Sequence, residues 1–266
     1  MKKLYLLLIL AVFVLNIQPV ISAQPIDSLI IQGKVLLEKS TNQWQLPLLL
    51  NTRAHFERLL SSDQHQWLIH YYLALTDLRI VDYFFSKNAL EDKKLKADAE
   101  KYTEEALEHL EKSIELKEDF PENYALKSNL LGKKIALSPM KAIYLGPRSG
   151  IVSGKAMELG GQNPRVNLLI GISTLYTPTI FGGGADKALT LINQSIAIFD
   201  TSTDTVSIMP DWGKAEAYGY QGMIFMQQEK YPEARQSFEK ALEINPQYSW
   251  VKYHLMKQLE AKVAGK

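Results

Sequence analysis

AEAYGYQGMIFMQQEKYPEARQSFEKALEINPQY, residues 215–248, is a helical hairpin written in one stretch. Small and large residues recur at helical spacing. Tyr218-x2-Gln221-Gly222-x2-Phe225 lies in the first half, Ala234-x3-Phe238 in the second, and Pro246 at the end. Gly222 and Ala234 suit the place where two helices approach most closely, and Phe225, Tyr231 and Phe238 suit the wider gaps. Proline cannot continue a helical hydrogen-bond ladder but can open one, so Asn245-Pro246 ends the unit and starts the next helix. A lone pair of this kind leaves an apolar face uncovered and needs similar pairs stacked beside it.

Looser versions of the pattern lie upstream. One opens with Asn167-x2-Ile170-Gly171-x2-Thr174 and closes with Ala188-x3-Ile192 and Ser195, across a turn enlarged to Thr177–Gly184. Another opens with Tyr124-x2-Lys127-Ser128-x2-Leu131, and its closing helix is predicted to follow Gly146-Pro147, with Ser149-x3-Ser153 and Ala156. The first places Trp67, His70, Tyr71 and Ala74 in the opening helix and Ala106-x3-Leu110 in the closing one, with an insertion, Val81 to Lys101, lengthening both. Ahead of these, apolar periodicity predicts helices over 26–39 and 47–60, and Asp63 is placed to cap a long third helix. A last helix over 248–261 carries Val251, Leu255 and Leu259 on one face, as a terminal cap should. The expected fold is therefore all-α: a superhelix of about four irregular hairpin repeats over 63–247. A helical extension over 24–62 precedes it and a capping helix over 248–262 closes it, in one domain spanning 24–266.

The N-terminus reads as a secretory signal over 1–23. Lys2 and Lys3 precede an apolar stretch from Leu4 to Ile17, and Ile21-Ser22-Ala23 forms a small-residue cleavage site. The unbroken apolar run ends at Leu15, too short to cross about 30 Å of hydrocarbon. No other segment is long and apolar enough, so an exported, periplasmic or secreted chain without an integral membrane segment is expected. With no cysteine, disulfides and lipid attachment are both excluded. Formal net charge is +1 and falls to −1 without Lys2 and Lys3, which gives no overall electrostatic footprint for nucleic acid or an anionic membrane. Lys93, Lys94, Lys96 and Lys101 alternate with Glu91, Asp92, Asp98 and Glu100, a solvated helix face.

With these residues in place, 121–261 resembles tetratricopeptide-repeat proteins, most closely at 215–248 and next at 163–200. In layout the chain is similar to exported repeat proteins such as the tetratricopeptide component associated with tripartite ATP-independent periplasmic transporters, although that component is a lipoprotein and this chain lacks the cysteine. The resemblance implies that one face of each opening helix lines a concave groove. By slot, that face comprises Leu68, Tyr72 and Leu75; Ala125, Asn129 and Gly132; Leu168, Ile172 and Leu175; and Gly219, Met223 and Met226. Arg165 lies near the same groove, placed to meet a carboxylate or a neighbouring acid. A largely apolar lining implies a protein partner segment or a small apolar or amphipathic ligand. Simple core packing is the competing explanation of the same spacing.

Candidate chemistry is sparse. Gly182, Gly183 and Gly184 feed a helix and offer backbone N–H groups to an anion, but they do not match a P-loop, and a wide turn explains them as well. Arg148 and Ser149 sit after Gly146-Pro147, where capping and solvation serve equally. None of His55, His65, His70, His109 and His254 has a metal-ligand spacing, and no G-x-S-x-G elbow appears. The expectation is a non-enzymatic binding or scaffold protein without cofactor or metal. An enzyme with its site in loops 138–150 and 177–187 is the alternative.

Overall fold

The computed structural model describes residues 25–202 and 207–265. The expected signal segment, 1–23, lies outside the described residues. Among the described residues there is no strand. The helices are α1 (Ile26–Gln43), α2 (Leu46–Leu59), α3 (Gln66–Ser86), α4 (Lys93–Leu116), α5 (Pro121–Leu137), α6 (Ala142–Gly160), α7 (Pro164–Tyr176), α8 (Ala185–Thr201), α9 (Lys214–Gln227) and α10 (Tyr231–Ile244). A π-helical turn, Trp250–Leu255, then runs into α11 (Met256–Ala264). Consecutive helices pack as hairpins, and α3, α5 and α7 also pack on one another as successive first helices.

One contact recurs in three of the hairpins. A small residue on the first helix meets a large one on the second, so the two backbones come close and the ring fills the space. A Cβ on Gly222 would lie 2.4 Å from the Phe238 ring, and one on Gly171 would lie 2.9 Å from Ile192. The same contact recurs in α1 and α2, where a Cβ on Gly33 would lie 2.5 Å from Phe56. The expected N-terminal extension is thus a further hairpin of the same construction, spelled Thr52-x3-Phe56 in its second helix. Between α5 and α6 the slot is polar instead: the Ser128 and Ser153 hydroxyls are 2.6 Å apart.

Two local expectations change. The closing helix of the second repeat starts at Ala142, not after Gly146-Pro147, and Pro147 sits inside it. Proline removes the bond to the Ile143 carbonyl, but both residues are exposed, so water can serve that group. Asp63 is not the cap of α3. That helix begins at Gln66 behind His65, whose φ of 55° turns the chain in the left-handed region and leaves Asp63 exposed. Asp92 does cap α4, accepting from the Lys94 and Leu95 amides at 2.8 and 2.9 Å.

Phe238 is fully buried between Gly222 and the C-terminal core of Ala234, Ala241 and Val251. Phe238→Ala should therefore cost about 3–5 kcal/mol in urea unfolding, and a loss below about 1 kcal/mol would contradict this packing.

Candidate binding site on the concave face

The first helices of the hairpins carry the inner face, and the chain covers much of that face itself. Residues 207–213, which lead into α9, lie across it as a strap. The Lys34 amine on α1 donates to the carbonyls of Ser207 at 2.6 Å and Met209 at 2.8 Å, and pairs with Asp211 at 2.8 Å. The Tyr72 hydroxyl on α3 donates to the Ile208 carbonyl at 2.7 Å. Trp212 is a second, half-buried anchor. Its indole N–H donates to the Tyr71 hydroxyl at 2.9 Å, and the Arg79 guanidinium lies 5.0 Å from its ring centroid. Gly213 follows with φ 111°, and any Cβ there would press on Phe199 and Leu168, so only glycine lets the strap pass this closely.

Two buried carboxylates hold the floor under the strap. Glu122 on α5 accepts from Tyr71 Oη at 2.6 Å, Arg165 Nε at 2.7 Å and Asn163 Nδ2 at 2.9 Å. Glu216 on α9 meets Arg79 on α3 through two bonds, at 2.9 and 2.6 Å. Burial opposes the charge on Arg79, but the Glu216 carboxylate more than offsets it, so its pKa rises above the ordinary value.

The ends of the described chain then meet. Asn42, in the last turn of α1, exchanges amide hydrogen bonds with Asn245 at 2.9 and 3.3 Å, and the Ser249 hydroxyl donates to its carbonyl. Between α1, α3, the strap and residues 244–248 remains a cavity of about 480 Å³. Ile31, Val35, Leu37, Tyr72 and Leu75 give it apolar walls, and Lys34, Glu38, Arg79, Glu216 and Tyr248 line it as polar groups. Most of these are already engaged. The Tyr248 hydroxyl makes no hydrogen bond among the described residues, and burial, then the neighbouring Glu216, hold its phenol well above the ordinary pKa. It stays a neutral donor at physiological pH.

The slots expected to line an open groove are mostly filled. Leu68, Leu168, Ile172 and Met226 are buried in the hairpin cores, Asn129 is buried on α5, and Leu175 and Met223 are half-buried against the same clusters. The buried positions of the expected lining pack inside the hairpins, and the strap passes over Leu168 at Gly213. Tyr72 and Leu75 do reach the cavity. Arg165 meets an acid, but that acid is Glu122 of the fold. In the glycine turn expected to offer N–H groups to an anion, those groups already have backbone acceptors. Gly182, Gly183 and Gly184 donate their N–H groups to the carbonyls of Thr179, Pro178 and Thr174, and the Lys187 amine donates to the Gly182 carbonyl at 3.0 Å. Gly182 and Gly184 are there for their positive φ of 85° and 114°. Arg148 stands exposed on α6, away from the cavity lining.

The histidines have partners outside loops 138–150 and 177–187. His55 contacts the Leu29 carbonyl, His65 pairs with Asp27, and His254 contacts Gln258. The Nδ1 atoms of His70 and His109 are 3.0 Å apart across α3 and α4. Burial, then the charge on Lys112, lowers the His70 pKa; burial, His70 and Arg53 push His109 down to about 4. Both stay neutral above pH 6.5, and one donates to the other. Arg79, Trp212, Lys34 and Tyr248 carry no signal of their role in the sequence. A tryptophan in the polar turn Asp211-Trp212-Gly213 is the one hint available.

Comparison with known proteins agrees with this architecture. Residues 215–248 match the tetratricopeptide-repeat family model. The HusA haemophore from Porphyromonas gingivalis superposes with a TM-score of 0.61 at 24% identity, covering 75% of this chain and 92% of the haemophore. A thermophilic tetratricopeptide protein from Thermus thermophilus superposes with a TM-score of 0.54 at 17% identity, covering 88% of this chain and 97% of that one. Among curated proteins none matches the chain. The tetratricopeptide reading therefore holds for the repeat and the fold.

Removing Glu216 leaves the buried Arg79 with only the longer contact to Asp82, at 3.8 Å, as an acidic partner among the described residues. Glu216→Ala should cost about 3–5 kcal/mol in chemical denaturation, and Arg79→Met combined with Glu216→Leu should recover most of it. A loss below about 1 kcal/mol for the single variant would mean that the pair is open to water.

Proposed function

We propose that this tetratricopeptide-repeat chain is an exported, non-enzymatic binding protein that holds a small apolar or amphipathic ligand. The observation that carries the reading is the cavity of about 480 Å³ left when the strap closes the concave face. That volume lies in the range of small-molecule sites, as does a lining of apolar walls with a few polar groups. The Tyr248 hydroxyl, unpaired among the described residues, would supply a donor to an acceptor atom on the ligand. A protein segment laid along an open groove fits less well, because the strap already occupies that path.

Export is supported by Lys2-Lys3, the apolar stretch after them and Ile21-Ser22-Ala23. No described helix is long and apolar enough to cross a membrane. Ligand carriage is supported by the fold shared with the HusA haemophore, which makes haemin the first ligand to try.

The test uses the chain from Gln24 onward, titrated with haemin and with a long-chain fatty acid by absorbance and Trp fluorescence. Val35 lines the cavity and is 60% exposed, so Val35→Trp fills space without disturbing the core. A bound ligand should lose roughly tenfold or more in affinity, about 1.4 kcal/mol, in that variant. Binding that Val35→Trp leaves unchanged would move the site elsewhere, and no binding of either probe class would contradict the reading. N-terminal sequencing of envelope-fraction protein should start at Gln24; a start at Met1 would contradict export.

A further inference from the structure

The second helices of the hairpins present their outer faces to solvent, and two of them are dressed for it. α4 exposes Lys101, Glu104, Glu108, Glu111, Lys112 and Glu115, and α10 exposes Glu233, Glu239, Lys240 and Glu243. α6 differs. Its outward side shows Ile143 at 86% exposure and Ile151 at 73%, with Tyr144 and Pro147 between them. Built on an ideal helix, these positions fall on the side opposite buried Leu145 and Ala156. The hairpin turns at the same end of the stack add Met140, Ile180 and Phe181, all largely exposed. Apolar side chains gathered this way mark a docking surface.

The charge on the face chooses the partner. Arg148 and Lys155 are seven residues apart on α6, which sets them in a row beside the apolar strip, and Lys141 stands just before the helix's first residue. Lys141 and Arg148 have no acidic partner among the described residues, and the one acid on the helix, Glu158, is held by Lys155 at 3.3 Å. An apolar strip flanked by a basic row is the pattern of a helix lying in a bilayer interface. The near-neutral net charge does not oppose this, because exposed charges act only within about 8–10 Å at physiological salt. A second copy of the chain fits less well, since the face carries no acidic row to meet the basic one.

We propose that α6 and the turns holding Met140, Ile180 and Phe181 dock this protein on an anionic lipid surface. The apolar side chains enter the headgroup boundary while the basic row faces lipid phosphates. The cavity lies elsewhere, lined from α1, α3, the strap and residues 244–248, so docking leaves it accessible.

The chain from Gln24 onward is used, so that the apolar stretch after Lys3 cannot bind lipid on its own. It is sedimented with phosphatidylcholine vesicles and with vesicles that also contain phosphatidylglycerol. Binding should appear with phosphatidylglycerol and weaken in high salt. It should fall roughly tenfold in Arg148→Glu, which reverses one charge of the row. Phe181→Glu should weaken it to a similar degree, and circular dichroism melts of both variants should match the parent, since both positions are exposed. Absence of binding to phosphatidylglycerol vesicles, or equal binding by both variants, would overturn the proposal. So would light scattering that finds a dimer in vesicle-free buffer which Ile143→Glu dissociates, because the face would then belong to a second copy.

Discussion

The buried pair between Arg79 and Glu216, with Trp212 over the guanidinium, holds the inner side of this molecule in place. It joins the third helix to the ninth, 137 residues apart in sequence, and lays the strap over the floor. A buried ion pair adds little net stability against an apolar replacement, but it is costly to break by halves. Its consequence is geometric. With Arg79 fixed, Trp212 has a seat, Tyr71 has a hydrogen-bond partner above and Glu122 below, and the strap reaches Lys34 on α1.

Closure changes what a helical-repeat scaffold can hold. An open superhelix offers a long trough suited to an extended peptide. Here the strap takes that trough, and the Asn42–Asn245 contact brings α1 against the C-terminal turn. What remains is a cavity with mostly engaged polar groups. In the proposed binding role, shape and the Tyr248 hydroxyl, unpaired among the described residues, would set selectivity rather than charge.

The hairpins are legible in the sequence because their contacts are local and periodic. Gly222 and Phe238 lie in one repeat, and their spacing states the packing outright. The α1–α2 hairpin uses the same contact at Gly33 and Phe56, but with Thr52 in place of the alanine of Ala-x3-Phe it reads only as an extension. The groove slots are buried for a non-local reason: nothing around Leu168 announces that Gly213 will cover it. Lys34 looks like any solvated lysine until a chain segment 173 residues away supplies its carbonyl acceptor. Pro147 reads as a boundary because proline usually is one, and it proves tolerable where its orphaned carbonyl faces water.

Closure by the strap can be measured directly, because the chain has no cysteine of its own. Val35 and Met209 are both exposed, and the Lys34 amine beside Val35 lies 2.8 Å from the Met209 carbonyl. A variant with cysteines at these two positions should be joined within one chain by a short thiol crosslinker under native conditions, and not in urea. Two thiols that label fully but never crosslink in the native protein would show that the strap does not lie on α1, and the cavity would lose that wall.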